Sequence, residues 1–183
     1  GANIDTGCTG QLRLSTGEPG GQAGIIRGDG KARRMTAKLN HTIVAARDKE
    51  KSALFMSEIL GLPPPVAFGH FVLVTVGDEL TLDFRDKAGE IVPQHYAFLV
   101  SETEFDEIFA RIVARGLAHW ADPGRQRAGE VNRWDDGRGV YFPDPDGHLL
   151  EILTRPDGSL GMSAEHPHPL VARTLQPGDG GAD

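Results

Sequence analysis

The chain has 183 residues, with 26 Asp and Glu against 19 Lys and Arg, a formal net charge of −7. That balance argues against a nucleic-acid backbone as partner, which needs a basic face. No run of about 18 apolar residues exists to span a membrane, while 39% hydrophobic and 25% charged residues suit a packed core. A single cysteine, Cys8, excludes an internal disulfide framework and a cysteine-built zinc site. It fits a reducing, cytoplasmic setting.

In chain order, residues 1–35 read as a disordered N-terminal extension. Nine of the 24 glycines fall in 1–34, and no helical or strand period can be written through them. Arg33-Arg34 is followed by no apolar stretch, so no targeting signal is assigned. Met35 stands just before the first patterned segment. Residues 36–156 carry the pattern of a folded domain. From about Asp157 to Asp183 the period is lost again in Gly, Pro and His, which reads as a flexible C-terminal tail.

The folded unit reads twice, as modules at about 38–86 and 94–155. Segment 39–45 alternates like a strand, with His41, Ile43 and Ala45 on one face. Phe55, Met56, Ile59 and Leu60 then recur at helical spacing, and Gly61 stops that helix. Strands are predicted at about 65–68, 71–76 and 79–85. Segment 94–100 repeats the first strand, with His95, Ala97 and Leu99 on one face. Ser101 and Glu104 form a capping box before a stripe of Phe105, Ile108, Phe109 and Ile112, and Gly116 ends the helix. Strands are predicted at about 117–121, 138–143 and 148–154. The fold class is therefore α+β, two βαβββ modules that must pack together because neither covers its own sheet. The polar loop 122–137 reads either as a lid or as a mere hairpin connection.

The two copies match in chemistry as well. Each opens on a histidine, His41 and His95, and each ends on a strand with a carboxylate, Asp83 and Glu151. If first and last strands are neighbours, each half offers an imidazole and a carboxylate to one face. That donor set suits zinc, iron, nickel or manganese. The alternative is that each is a surface or satisfied core residue. Glu151, between Leu150 and Ile152, argues most strongly for a ligand, because a carboxylate in an apolar strand is costly unless paired. Phe68, Phe71, Trp120, Trp134 and Tyr141 are candidates for the wall of an apolar pocket, and each also reads as ordinary core. Arg133, Arg138 and His148 read as surface or turn residues.

The strings LNHTIVAARD, FMSEILGL, QHYAFLV and GVYFPDPDGHLLEIL resemble the vicinal oxygen chelate superfamily, which unites glyoxalases, fosfomycin and bleomycin resistance proteins and extradiol dioxygenases. The resemblance covers roughly 38–155. It implies paired modules forming a curved mixed sheet around a divalent metal, with His41, His95 and Glu151 as ligands. Asp83 falls where glyoxalases place a fourth ligand, one methylene shorter than their Glu. Tyr141 matches a substrate-contacting tyrosine, whereas Leu160 stands where fosfomycin resistance enzymes carry a basic residue that a phosphonate needs. HTIVAARDKE, LTLDF, PQHYAFLVSE, ADPGR and GRGVYFPDPDGHLLEI resemble the chartreusin-pathway group of aromatic polyketide oxygenases. That likeness implies a flavin-free oxygenase or dioxygenase using Fe(II) and O₂, with neither flavin nor nicotinamide, on a polycyclic aromatic polyketide. It also implies a homodimer. Two other readings stay open: a metal-dependent isomerase or thiol transferase, and an antibiotic-binding protein on the same scaffold.

Overall fold

The computed structural model describes residues 37–161 and 164–170. The expected extension at 1–35 and the end of the expected tail, 171–183, lie outside the described residues. The unit described begins at Lys38.

Its first half runs β1 (His41–Ala46), α1 (Lys49–Leu60), β2 (Val66–Phe68), β3 (Phe71–Val76) and β4 (Leu80–Asp86). Its second half runs β5 (His95–Leu99), α2 (Glu102–Ala114), β6 (Gly139–Pro143) and β7 (Leu149–Leu153). Strand order is β1-β4-β3-β2 in one sheet and β5-β7-β6 in the other, with β1–β4 and β5–β7 parallel. First and last strands are thus neighbours in both halves. The expected strand at 117–121 is reduced to isolated bridges from Trp120 to Tyr141 and Ala128. The loop after it turns back too soon for a longer ladder.

Local chemistry sets the helix ends. Asp48 accepts from the Lys51 amide at the start of α1, and Gly61 closes that helix at φ +73°, a left-handed conformation that glycine adopts without a Cβ clash. The Ser101–Glu104 capping box opens α2 as its spacing predicts. Replacing Ser101 by Ala should cost about 1 kcal/mol of stability, read as a lower denaturant midpoint at unchanged slope. An unchanged midpoint would show that the exposed cap contributes nothing.

One apolar cluster joins both halves. Val44, Ala46, Val72, Val74, Leu82 and Phe84 from the first sheet meet Val140, Phe142, Leu150 and Ile152 from the second, with Met56, Ile59, Phe105, Ile108 and Ile112 of α1 and α2 between. Because strand side chains alternate, His41, Asp83, His95 and Glu151 stand on the sheet faces turned away from this core.

The DPDG turn stitches the halves together. Asp144 accepts from the amides of Asp146 and His148, and Gly147 takes φ +93°. The turn aims Asp146 at the other module, where its carboxylate accepts from the Arg47 amide at 3.0 Å and the Ser52 hydroxyl at 2.6 Å. The Arg47 guanidinium adds an ion pair at 3.2 Å. His148, expected at the surface, is instead only 1% exposed. Its Nε2 donates to the Ala45 carbonyl at 2.8 Å and its Nδ1 accepts from the Gln94 amide at 2.9 Å. One imidazole therefore ties the strand of His41 to the residue before His95. Arg138 is also no free surface cation: it pairs with Glu102 and Asp106 and lies over the Phe105 ring. Arg133 is exposed, as expected.

Candidate functional site

Three of the anticipated residues meet on the second sheet. β7 places Glu151 directly between Ala97 of β5 and Tyr141 of β6, and His95 stands two residues before Ala97 on the same face. His95 Nε2 lies 3.1 Å from Glu151 Oε2, and the His95 ring stacks on Tyr141 with centroids 5.8 Å apart. Glu151 is 1% exposed, and its Oε1 has no hydrogen-bond partner.

Proton placement at this pair is informative. His95 Nδ1 lies 3.1 Å from the Leu149 carbonyl, which can only accept, so that nitrogen carries the hydrogen. In a neutral imidazole Nε2 then presents a lone pair towards Glu151. Two acceptors at that distance need a proton or a cation to hold them together. Burial pushes the Glu151 carboxyl above its usual range, opposed by its contacts with Tyr141 and His95. Burial first, then the Glu151 carboxylate, pushes the Tyr141 hydroxyl well above the usual phenol range, so Tyr141 stays protonated. An imidazole lone pair and a buried, half-satisfied carboxylate are what a divalent cation takes up, and the Leu149 carbonyl orients the ring for it. The residues fit a metal on this side.

The remaining expected ligands stand elsewhere. His41 is exposed at the start of β1, its Nδ1 paired with the Asn40 side chain at 2.9 Å. Asp83 shares its face, two residues along the ladder, and accepts from the Thr81 hydroxyl at 2.7 Å. Among the described residues of one chain, no three His, Cys, Asp or Glu side chains come close enough to hold a metal. The halves pack through their inner faces and helices, which turns the two donor-bearing faces outward instead of towards one point.

A cavity of about 450 Å³ opens over the His95–Glu151 pair, lined also by Asp122, Trp134, Tyr141, Asp157 and His168. Trp134 therefore joins the wall, as anticipated, and lies edge-on to Tyr141 at 6.3 Å. Trp120 instead backs Tyr141 through its backbone bridge. Phe68 and Phe71 stand on the first sheet and are not among the residues of this cavity; Phe68 is 67% exposed. The loop 122–137 is a tied wall. Asp122 accepts from the amides of Gln126 and Arg127, and Asn132 bonds the Ala121 carbonyl and pairs with Gly139.

Asp122, Asp157 and His168 are not among the site residues that the sequence predicts. Asp122 follows a predicted strand and precedes Pro-Gly, a turn signal that hid its second role. The other two lie where periodicity ends.

The description "Glyoxalase/Bleomycin resistance protein/Dioxygenase superfamily" belongs to a family model that matches residues 38–152, and this chain is a member of that family. Among solved structures, oxidase ChaP-H1 is 59% identical with a TM-score of 0.66, covering 68% of this chain and 100% of its own. Oxidase ChaP-H2 is 57% identical with a TM-score of 0.67, covering 69% of this chain and 100% of its own. Among curated relatives, the glutathione transferase FosA of Serratia marcescens is 34% identical over 124 residues, 64% of this chain and 81% of the relative. The chain is a metal-dependent enzyme of the superfamily. No helix among the described residues is long and apolar enough to cross a membrane.

Proposed function

We propose that this protein is an Fe(II)-dependent, flavin-free oxygenase acting on a hydroxylated polycyclic aromatic polyketide in antibiotic biosynthesis. The observation that carries this reading is the His95–Glu151 pair, buried on the carboxylate side, at the floor of an aromatic-walled cavity. The likeness to two oxidases at 57–59% identity supports it. Two histidines and one carboxylate form the ligand set suited to iron and O₂ chemistry, and His41 is the proposed third ligand. Since one chain does not bring His41 to the pair, we assign it to a second copy in a symmetric homodimer. Asp83, two residues from His41 along the same face, would then act as a neighbour that orients rather than ligates. A cytoplasmic location fits a chain with one cysteine.

Iron(II) held there supplies Lewis acidity towards a substrate oxygen and electrons for O₂. The chain's own groups do the rest. Tyr141, protonated and 3% exposed, donates a hydrogen bond next to Glu151, where a substrate oxygen would sit. Glu151 would hold the cation as a carboxylate, any proton it carries leaving to solvent through the cavity, because His95 keeps its hydrogen on Nδ1 and would offer Nε2 to the same cation. Trp134, edge-on to Tyr141 at the cavity wall, would pack against a planar ring and exclude water beside it.

The thiol transferases among the curated relatives suggest a second reading. The cavity argues against an anionic substrate, because its lining contains Asp122, Glu151 and Asp157 and no Lys or Arg. The deciding experiment loads purified protein with Fe(II) under anaerobic conditions and adds a hydroxylated anthraquinone in aerated buffer. Iron-dependent O₂ uptake with an oxidised product supports the oxygenase. Absence of uptake, with glutathione addition to an epoxide instead, would replace it with the transferase.

A further inference from the structure

The chain beyond β7 does not leave the domain. Gly158 donates its amide to Asp135, and the amides of Glu165 and His166 bond Asp136 at 3.3 and 3.0 Å. Asp135 and Asp136 belong to a short 3₁₀ turn, Trp134–Asp136, and both take left-handed backbone angles, φ +52° and +56°. Two consecutive non-glycine residues in that region are strained, and such strain persists where the surroundings hold it in place. Here the turn does two things at once. It presents Trp134 to the cavity, and it holds the chain beyond β7 at two places, Gly158 through Asp135 and the segment 164–170 through Asp136.

The gripped segment reaches the cavity itself. The His168 ring meets Trp134 at 4.8 Å between centroids, and its side chain is 7% exposed. His168 Nδ1 lies 3.0 Å from the Leu170 amide and 3.1 Å from the Leu170 carbonyl; accepting from the amide leaves the ring hydrogen on Nε2, the tautomer that also turns a donor towards the Asp157 carboxylate. That Nε2 faces Asp157 Oδ1 at 3.6 Å, beyond good hydrogen-bond length. A donor and an acceptor therefore stand side by side at the cavity, neither satisfied by the other. Pro169 and Leu170 add apolar surface beside them. The solved oxidases are matched over their whole length by 68–69% of this chain, so about a third of this chain has no counterpart in them.

We propose that the clasped segment 164–170 is a substrate-binding wall of this enzyme, in which His168 and Asp157 together read a hydroxyl-bearing oxygen of a planar aromatic ligand. This rests on the aromatic-substrate reading above and adds the residues that recognise the end of the ligand away from Glu151. A phenolic hydroxyl both donates and accepts, so it can give its hydrogen to Asp157 and accept from His168 Nε2. A methoxy group can only accept and would leave Asp157 unpaired. Asp122, on the loop 122–137 across the same cavity, is already held by the Gln126 and Arg127 amides.

The test uses the full chain, metal-free and metal-loaded, and follows quenching of Trp134 fluorescence by 1,8-dihydroxyanthraquinone and by its dimethoxy analogue. A Trp120→Phe background leaves Trp134 as the reporter. The expected result is tighter binding of the dihydroxy compound, by on the order of tenfold, the size of one hydrogen-bonded contact. His168→Ala and Asp136→Ala should each abolish most of that preference while metal content stays at the parental value, and His168→Ala should also keep the parental melting temperature. His168→Gln, which keeps a donor, should recover part of it. Equal affinities within twofold across the parent and both alanine variants would overturn the proposal, as would no binding of the dihydroxy compound by the parent. Because the readout is ligand binding, it stands whether or not O₂ uptake is found, and a failed oxygenase assay remains distinguishable from a failed wall.

Discussion

Glu151→Gln and His95→Ala should each abolish stable metal binding and reduce turnover by at least about a thousandfold. The two side chains meet at 3.1 Å, and each is the other's partner on the cavity floor. A further expectation separates ligand from structural roles. Glu151 is buried with Oε1 unpaired, an arrangement that costs the metal-free fold stability. Glu151→Leu should therefore make the metal-free protein more stable, by about 1–3 kcal/mol, while eliminating activity. Metal analysis after gel filtration and denaturant unfolding of the metal-free protein read the two effects. Full metal occupancy in both Glu151→Gln and His95→Ala would contradict the assignment, as would destabilisation by the leucine.

The second large effect lies at the turn that joins the modules. Asp146 is 6% exposed and accepts from the Arg47 backbone, the Arg47 guanidinium and the Ser52 hydroxyl. Asp146→Ala leaves a buried hydroxyl and a backbone amide without acceptors, and should cost about 3 kcal/mol. Arg47 is largely exposed, so its ion pair contributes little of that. Ser52→Ala should cost about 1 kcal/mol, since it removes one donor and leaves Asp146 its other partners. Urea unfolding monitored by Trp fluorescence measures both, and a loss below 1 kcal/mol in Asp146→Ala would show that the turn is not the staple described.

Alternation made much of this legible in advance. Val44, Ala46, Leu82 and Phe84 pack inward because every second strand residue must share a face, and that rule alone set His41 and Asp83 on the opposite side. It likewise set Glu151 on the face opposite Leu150 and Ile152, while the register that brings it across from Tyr141 comes from the turn between β6 and β7. The family motif located the DPDG turn, although its spacing says nothing of where Asp146 would reach. His148 looked like a turn residue because its two partners, Ala45 and Gln94, are far away in the chain. Strand 117–121 has the composition of a strand, yet hydrogen bonds depend on the length of the loop beyond it. The wall formed by Trp134 and His168 was the least visible. Its contacts rest on positive φ angles at two aspartates and on backbone amides of a segment without period, none of which leaves a mark on hydrophobic patterning.

The central claim is that His95 and Glu151 of one chain hold a metal together with His41 of another. Mixing tests it directly. His41→Ala and Glu151→Ala proteins, each inactive alone, are unfolded together in equal amounts, refolded with Fe(II), and assayed for metal content and O₂ uptake. In a symmetric dimer half of the refolded molecules are mixed, and each mixed molecule regains one intact site, so the account predicts recovery of about a quarter of parental activity and metal. A mixture as inactive and metal-free as its components would contradict a site shared between two chains.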